Sequence, residues 1–230
     1  MKRMRIFQWM AVLLMVAIFA GGVDSRSIAR AAAQGGRRAF STAPQLDAPP
    51  TQAELTMMIE KSKSALTFLN QFWASQFNGM RRSFRAPAVK ILQSGEAFYQ
   101  SQDHTIYFNP AFFVSMMRKV AKETHTDGDM AFISVLAHEY GHSIQAQLGL
   151  LKGDCLNVEL QADRMTGAFA RAAKERGLIE PGDFDEATLA FFIARDETDK
   201  FYACAHGSGT QRVEAFHSGL KDGLKAVFGK

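Results

Sequence analysis

His138-Glu139-Tyr140-Gly141-His142 sets two imidazoles four residues apart, with a carboxylate beside the first. On a helix, residues four apart share a face, so both rings can reach one metal ion. Glu139 is turned about 100° from His138 and can address a water beside that ion. The chemistry so framed is hydrolysis by a metal-activated water. Zinc suits it, because a catalytic zinc takes three protein ligands and leaves one position open. Ile133, Val135, Leu136, Ala137 and Ile144 make the surrounding segment uncharged and largely apolar, which an accidental match on an exposed helix would rarely show.

A third ligand is available downstream. Glu159-Leu160-Gln161-Ala162-Asp163 places two carboxylates four apart on a shared helical face. Glu159 can complete a two-His, one-Glu set, and Asp163 can accept the outer N–H of a ligand histidine and so fix its tautomer. The bland alternative is a solvated acidic face beside Arg164. His104, His125 and His217 have no comparable setting and are expected at the surface.

These residues need elements to hold them. Met130 to Leu148 is a helix candidate with Asp127 or Asp129 near its start and Gly149 at its end, and a second runs from about Asn157 to Arg176. Thr51-Gln52-Ala53-Glu54 has capping-box spacing and opens a long amphipathic helix that stops at Asn78-Gly79. Two more helices are expected, from Asp183 to about Arg195 and from Thr210 to Phe228. Ala88 to Leu92 and Thr105 to Phe108 have strand composition, with turns at Ser94-Gly95 and Ser101 to His104. The expected class is α+β, mostly helical, with a small antiparallel sheet or hairpin.

Composition fits a globular chain: 47% of the 230 residues are hydrophobic and 22% charged, which excludes collagen-like, mucin-like and wholly disordered classes. The net charge of +4 is confined to residues 1–33, where Lys2, Arg3, Arg5, Arg26 and Arg30 face Asp24 alone. The remaining chain is balanced and has no basic excess for phosphates, so no nucleic-acid partner is expected.

Lys2, Arg3 and Arg5 lead into a stretch from Ile6 to Val23 that is apolar apart from Gln8, the plan of an export signal or signal anchor. At ~1.5 Å per residue the stretch spans about 27 Å, near the lower limit for a membrane span. Ala20-Gly21-Gly22 also offers small residues for cleavage. Residues 1–23 are thus a signal peptide or membrane anchor, 24–50 a flexible linker, and 51–230 the folded domain. The expected location is the bacterial cell envelope, either anchored in the inner membrane and facing outward or secreted. Cys155 and Cys204 are a pair that an exported protein could oxidise, or two buried thiols.

Four blocks occur in order: Leu136 to Gln145, Glu159 to Asp163, Gly182 to Ala187, and His206-Gly207-Ser208-Gly209-Thr210-Gln211-Arg212-Val213. Together they resemble the neutral zinc metallopeptidases of bacteria, gluzincin-like proteins usually carrying an amino-terminal membrane span. The resemblance covers about residues 66 to 222, including Gly95 to Phe108, which is similar to that family's hairpin segment. It implies a zincin-like metalloprotease domain and a peptide or protein substrate. Zn2+ would be held by His138, His142 and Glu159, with Glu139 as general base and Asp163 behind a ligand. His206 resembles a histidine that contacts the oxyanion in related gluzincins. Where family members often carry cysteines, this chain has Gln100 and Arg164; a Cys155–Cys204 bond would replace that cross-link and draw Glu159 and His206 toward the metal. The competing class is a membrane-tethered binding or scaffold protein with structural zinc and no turnover. The Thr105 to Phe108 strand is expected to align a peptide by strand addition.

Overall fold

A computed structural model describes residues 48–194 and 206–229. The apolar leader at 1–23, linker residues 24–47 and Cys204 lie outside the described residues. The elements are α1 (Gln52–Gly79), β1 (Ala88–Ile91), β2 (Ala97–Gln100), β3 (Thr105–Phe108), α2 (Pro110–Thr124), α3 (Asp129–Leu148), α4 (Cys155–Glu175), α5 (Asp183–Ile193), α6 (Gly209–Asp222) and α7 (Lys225–Phe228). The class is α+β with helix in the majority, as expected.

The capping box at the start of α1 forms: the Glu54 N–H donates to the Thr51 hydroxyl oxygen, and the Thr51 N–H donates to the Glu54 carboxylate. The sequence reading assigns no helix to 110–124, yet α2 stands there. Asn109 caps it by accepting from the Ala111 N–H, and Pro110 at its first turn supplies a helical φ at no cost in hydrogen bonds. Its Phe113, Val114, Met117 and Val120 are buried. The helix expected from Thr210 to Phe228 is interrupted at Gly223, whose φ of 62° no α-helix accommodates, and so becomes α6 and α7.

The sheet order is β1-β3-β2, with β2 antiparallel and β1 parallel to β3, so the sheet is mixed where an antiparallel one was expected. The cause is topological: β3 turns back from β2 and inserts between it and β1, and a strand antiparallel to β2 there runs with β1. This overturns the expectation that Thr105 to Phe108 receives a peptide. Both edges of β3 are already paired, whereas β2 is an edge strand and packs against α3.

Helix α3 is enclosed on nearly every side. Leu136, Tyr140 and Ile144 join Leu69, Trp73, Phe113 and Phe132 in the main core, and the polar Ser134, Ser143 and Gln145 are buried with them. A helix apolar almost all round is a central helix. Gly141 brings it close to α4: a Cβ there would press on the Ala162 backbone and side chain at 3.3 Å. The most extensive helix pair is α4 with α6, which meet through Gly167 and Gly219. A Cβ at Gly167 would collide with the Phe216 carbonyl oxygen, and one at Gly219 with the Arg164 carbonyl oxygen.

Candidate metal centre

Helix α3 projects His138 and His142 from one face toward α4, and α4 returns Glu159. Their atoms converge: His138 Nε2 lies 3.1 Å from His142 Nε2 and 3.0 Å from Glu159 Oε2, and His142 Nε2 lies 3.4 Å from that same oxygen. Ligands ~2.0–2.1 Å from a tetrahedral zinc sit roughly 3.3–3.4 Å from one another, so the triangle has the dimensions of three such ligands.

The groups behind the triangle bear on its charge. His138 Nδ1 is 2.7 Å from Asp163 Oδ1, and Asp163 is fully buried. Arg212, also buried, grips both oxygens of Asp163, through Nε at 3.0 Å and Nη2 at 2.8 Å. Burial alone would raise the Asp163 carboxyl, but the charges of His138 and Arg212 overcome it and hold the group below the usual carboxylate range. A carboxylate only accepts, so His138 Nδ1 carries a proton, and Nε2 is the atom that would ligate an ion. Glu159 is likewise held well below its ordinary range: burial opposes this, and the hydrogen bonds from His138 and His142 outweigh it. Two imidazole nitrogens and an ionised carboxylate facing one another could hold a metal ion. Without one, burial opposes a charge on His138, yet Asp163 and Glu159 still hold its imidazole up at about 9. The donor set therefore fits zinc.

Glu139 projects into the adjoining cleft, where its Oε2 accepts the N–H of Tyr99 in β2 at 2.8 Å. The cleft has a volume of about 550 Å³ and lies between Ala97, Phe98 and Tyr99 on one side and Leu151 and Val158 on the other. His206 lines it too; its side chain is 47% exposed, with Nε2 3.8 Å from Glu159 Oε2 and its ring centroid 6.5 Å from that of His138. Cys155, the first residue of α4 and part of the same wall, is disulfide-bonded. Its expected partner Cys204 lies outside the described residues, among which no cysteine is free.

The structure thus gathers His138, Glu139, His142, Glu159, Asp163 and His206 in one place. His125 and His217 are exposed, as expected, but His104 is buried: its ring lies 2.8 Å from the Tyr99 hydroxyl and 3.0 Å from the Arg85 carbonyl oxygen. Three contributors are new. Arg212 stands in one of the quoted blocks, but nothing in sequence links it to Asp163. Gln145 is one turn beyond His142 and accepts from that ring. The Tyr99 N–H is a backbone group and leaves no trace in residue type. Asp127, Asp129 and Glu186 also cluster, but Lys61 pairs with Asp129, and Glu186 accepts the Gly128 and Met130 N–H groups at the start of α3. Within that cluster Glu186 serves the start of α3, and Asp127 and Asp129 pair with Lys61.

Comparison with known proteins agrees with the geometry. The chain is 27% identical over 199 residues to the uncharacterized protein YpfJ of Escherichia coli K12, covering 69% of this chain and 67% of that one. It is 29% identical over 154 residues to the uncharacterized protein Rv2575 of Mycobacterium tuberculosis, covering 55% of this chain and about half, 52%, of that protein. No solved structure matches. The family described as "Putative neutral zinc metallopeptidase" matches residues 6–227, the leader's apolar stretch and both site helices included, and the chain belongs to that family.

Proposed function

We propose that the protein is a zinc-dependent peptidase, and that His138, His142 and Glu159 hold the ion. The observation that carries this reading is the triangle of two imidazole nitrogens and one carboxylate oxygen with edges of 3.0, 3.1 and 3.4 Å. Bound zinc would supply two things, acidification of a water to a pKa of about 7 and polarisation of a carbonyl. The rest is done by the chain. Glu139, steadied through Oε2 by the Tyr99 N–H, takes the proton of the attacking water and delivers it to the leaving amine. His206, at the rim of the cleft, donates to the developing oxyanion, a contact worth roughly 3–4 kcal/mol by removal in other hydrolases. The edge of β2 away from β3 borders the cleft, its Tyr99 N–H held by Glu139, and would receive an extended peptide as an added strand through its remaining backbone groups.

The cell-envelope location belongs to the same proposal. It is supported by the cationic, apolar leader. Among the described residues no helix is long and apolar enough to cross a membrane. Salt-resistant recovery of the full chain with membranes, or its release into the medium, is the expected outcome; recovery with cytosolic proteins would contradict it.

Digestion of a peptide library with and without a zinc chelator tests the activity. Zinc-loaded parent protein should cleave, and chelator should stop it. Glu139→Gln should keep zinc and lose turnover. Cleavage by Glu139→Gln at the parent rate would overturn the assignment of the base, and no cleavage by zinc-loaded parent would overturn the function.

A further inference from the structure

The two histidines are backed differently. Behind His138 stands a charged pair, Asp163 with Arg212. Behind His142 stands an uncharged amide: Gln145, with 0% exposure, places Oε1 2.8 Å from His142 Nδ1. Which end of the amide faces the ring follows from its other contacts. Its remaining atom lies 2.7 Å from the Val158 carbonyl oxygen, a group that can only accept, so that atom is the NH2 nitrogen and the oxygen faces His142. The same nitrogen lies 3.0 Å from Gln161 Oε1, and the Gln161 nitrogen is 3.4 Å from the Val227 carbonyl oxygen in α7. Two backbone carbonyls thus orient the whole chain of amides. Gln145 has only an acceptor left for the ring, which obliges His142 Nδ1 to carry a proton and leaves Nε2, on the side of Glu159 and His138, as the atom that would ligate an ion.

We propose that Gln145 is a positioning residue for the metal centre, and that the relay Val227, Gln161, Gln145 holds His142 in the one tautomer and ring orientation able to ligate. The inference rests on His142 being a zinc ligand. Outer partners of ligand histidines typically alter metal affinity by about 10–100-fold when removed. The sequence favours the arrangement, because residues three apart on a helix are neighbours and a glutamine there reaches back to the ring. The relay also ties the ligand to α7, the last helix of the described chain.

The test uses purified full-length protein and compares three substitutions by zinc titration, thermal unfolding of the zinc-free form, and NMR detection of the His142 Nδ1–H in the zinc-loaded form. Gln145→Met keeps the length and removes the acceptor. It should weaken zinc binding by about 10–100-fold and abolish the slowly exchanging Nδ1–H signal. Gln145→Glu restores an acceptor while losing both donors. It should bind zinc within a few-fold of the parent and keep the signal, although its zinc-free form unfolds at a lower temperature. Gln161→Met loosens the brace without touching the ring and should give an intermediate loss. Zinc affinity that falls in step with unfolding temperature across all three variants would show a structural role only and overturn the proposal, as would unchanged affinity in Gln145→Met. A parent that binds no zinc would instead overturn the functional reading beneath it.

Discussion

Arg212 separates the support of the site from its chemistry. It is not among the residues lining the cleft, but it supplies two of the hydrogen bonds to the fully buried Asp163, with His138 supplying another. Arg212→Leu leaves that carboxylate with His138 as its remaining partner, and breaking a buried pair from one side costs about 3–5 kcal/mol. Urea denaturation of the zinc-free variant should show a loss of that size; a change under 1 kcal/mol would mean that His138 alone satisfies Asp163. His138→Ala should bind little zinc at any protein stability, and unchanged zinc content would contradict the ligand set. At this scale the sequence was legible where a helix converts spacing into geometry: His138, Glu139 and His142 lie within two turns of α3, and Glu159 and Asp163 within two turns of α4. Arg212 and the Tyr99 N–H were not legible, since each reaches its partner only through the packing of separate elements.

Between elements, the placement of Arg212 depends on how closely α6 approaches α4. Gly167 and Gly219 permit contact between the two backbones, and a Cβ at either meets a carbonyl oxygen that no side-chain rotation can move. Gly167→Ala should therefore destabilise by about 1–3 kcal/mol or more and weaken zinc binding by shifting Arg212 from Asp163. Equal stability and zinc affinity in that variant would refute the close-approach argument.

The junction of α3 and α5 offers a pH test. Burial pushes the Asp183 carboxyl from an ordinary 3.8 up to about 7; the Glu180 N–H opposes this, and the charges of Asp129, Glu186 and Asp127 add to it. A carboxyl whose pKa is raised on folding stabilises the fold below the unfolded value, and that contribution disappears as pH rises from about 4 through 7. Asp183→Asn keeps an acceptor for the Glu180 N–H and removes the charge. It should match the parent near pH 4 and exceed it at pH 8 by at most a few kcal/mol, at ~1.4 kcal/mol per pKa unit. A parent equally stable relative to the variant at both pH values would contradict this. The long periodic helices could be read in advance; α2 could not, although Asn109-Pro110 marks its start, because its apolar run is short. The parallel pairing of β1 with β3 depends on strand order, which residue alternation does not encode.

For the molecule as a whole, zinc held at this site would be a ligand of the folded state. Ionised Glu159 and two imidazoles are brought together only by the packing of α3 on α4, so zinc should stabilise folding by about 2.7 kcal/mol at a hundredfold excess over its dissociation constant. Thermal unfolding with and without a chelator measures this, and an unfolding temperature indifferent to zinc would count against a site formed by folding. The α+β class and the family were legible because four motif blocks occur in one order along the chain. The cleft was not, since it is assembled from β2, the 151–158 segment and the approach to α6.

X-ray absorption at the zinc edge of the loaded protein tests the central claim most directly. The expected spectrum has a shell of nitrogen and oxygen at ~2.0–2.1 Å with the outer scattering of two imidazoles and no sulfur. In His142→Ala that outer scattering should fall to one imidazole. A sulfur shell at ~2.3 Å, or a parent spectrum with fewer than two imidazoles, would contradict it.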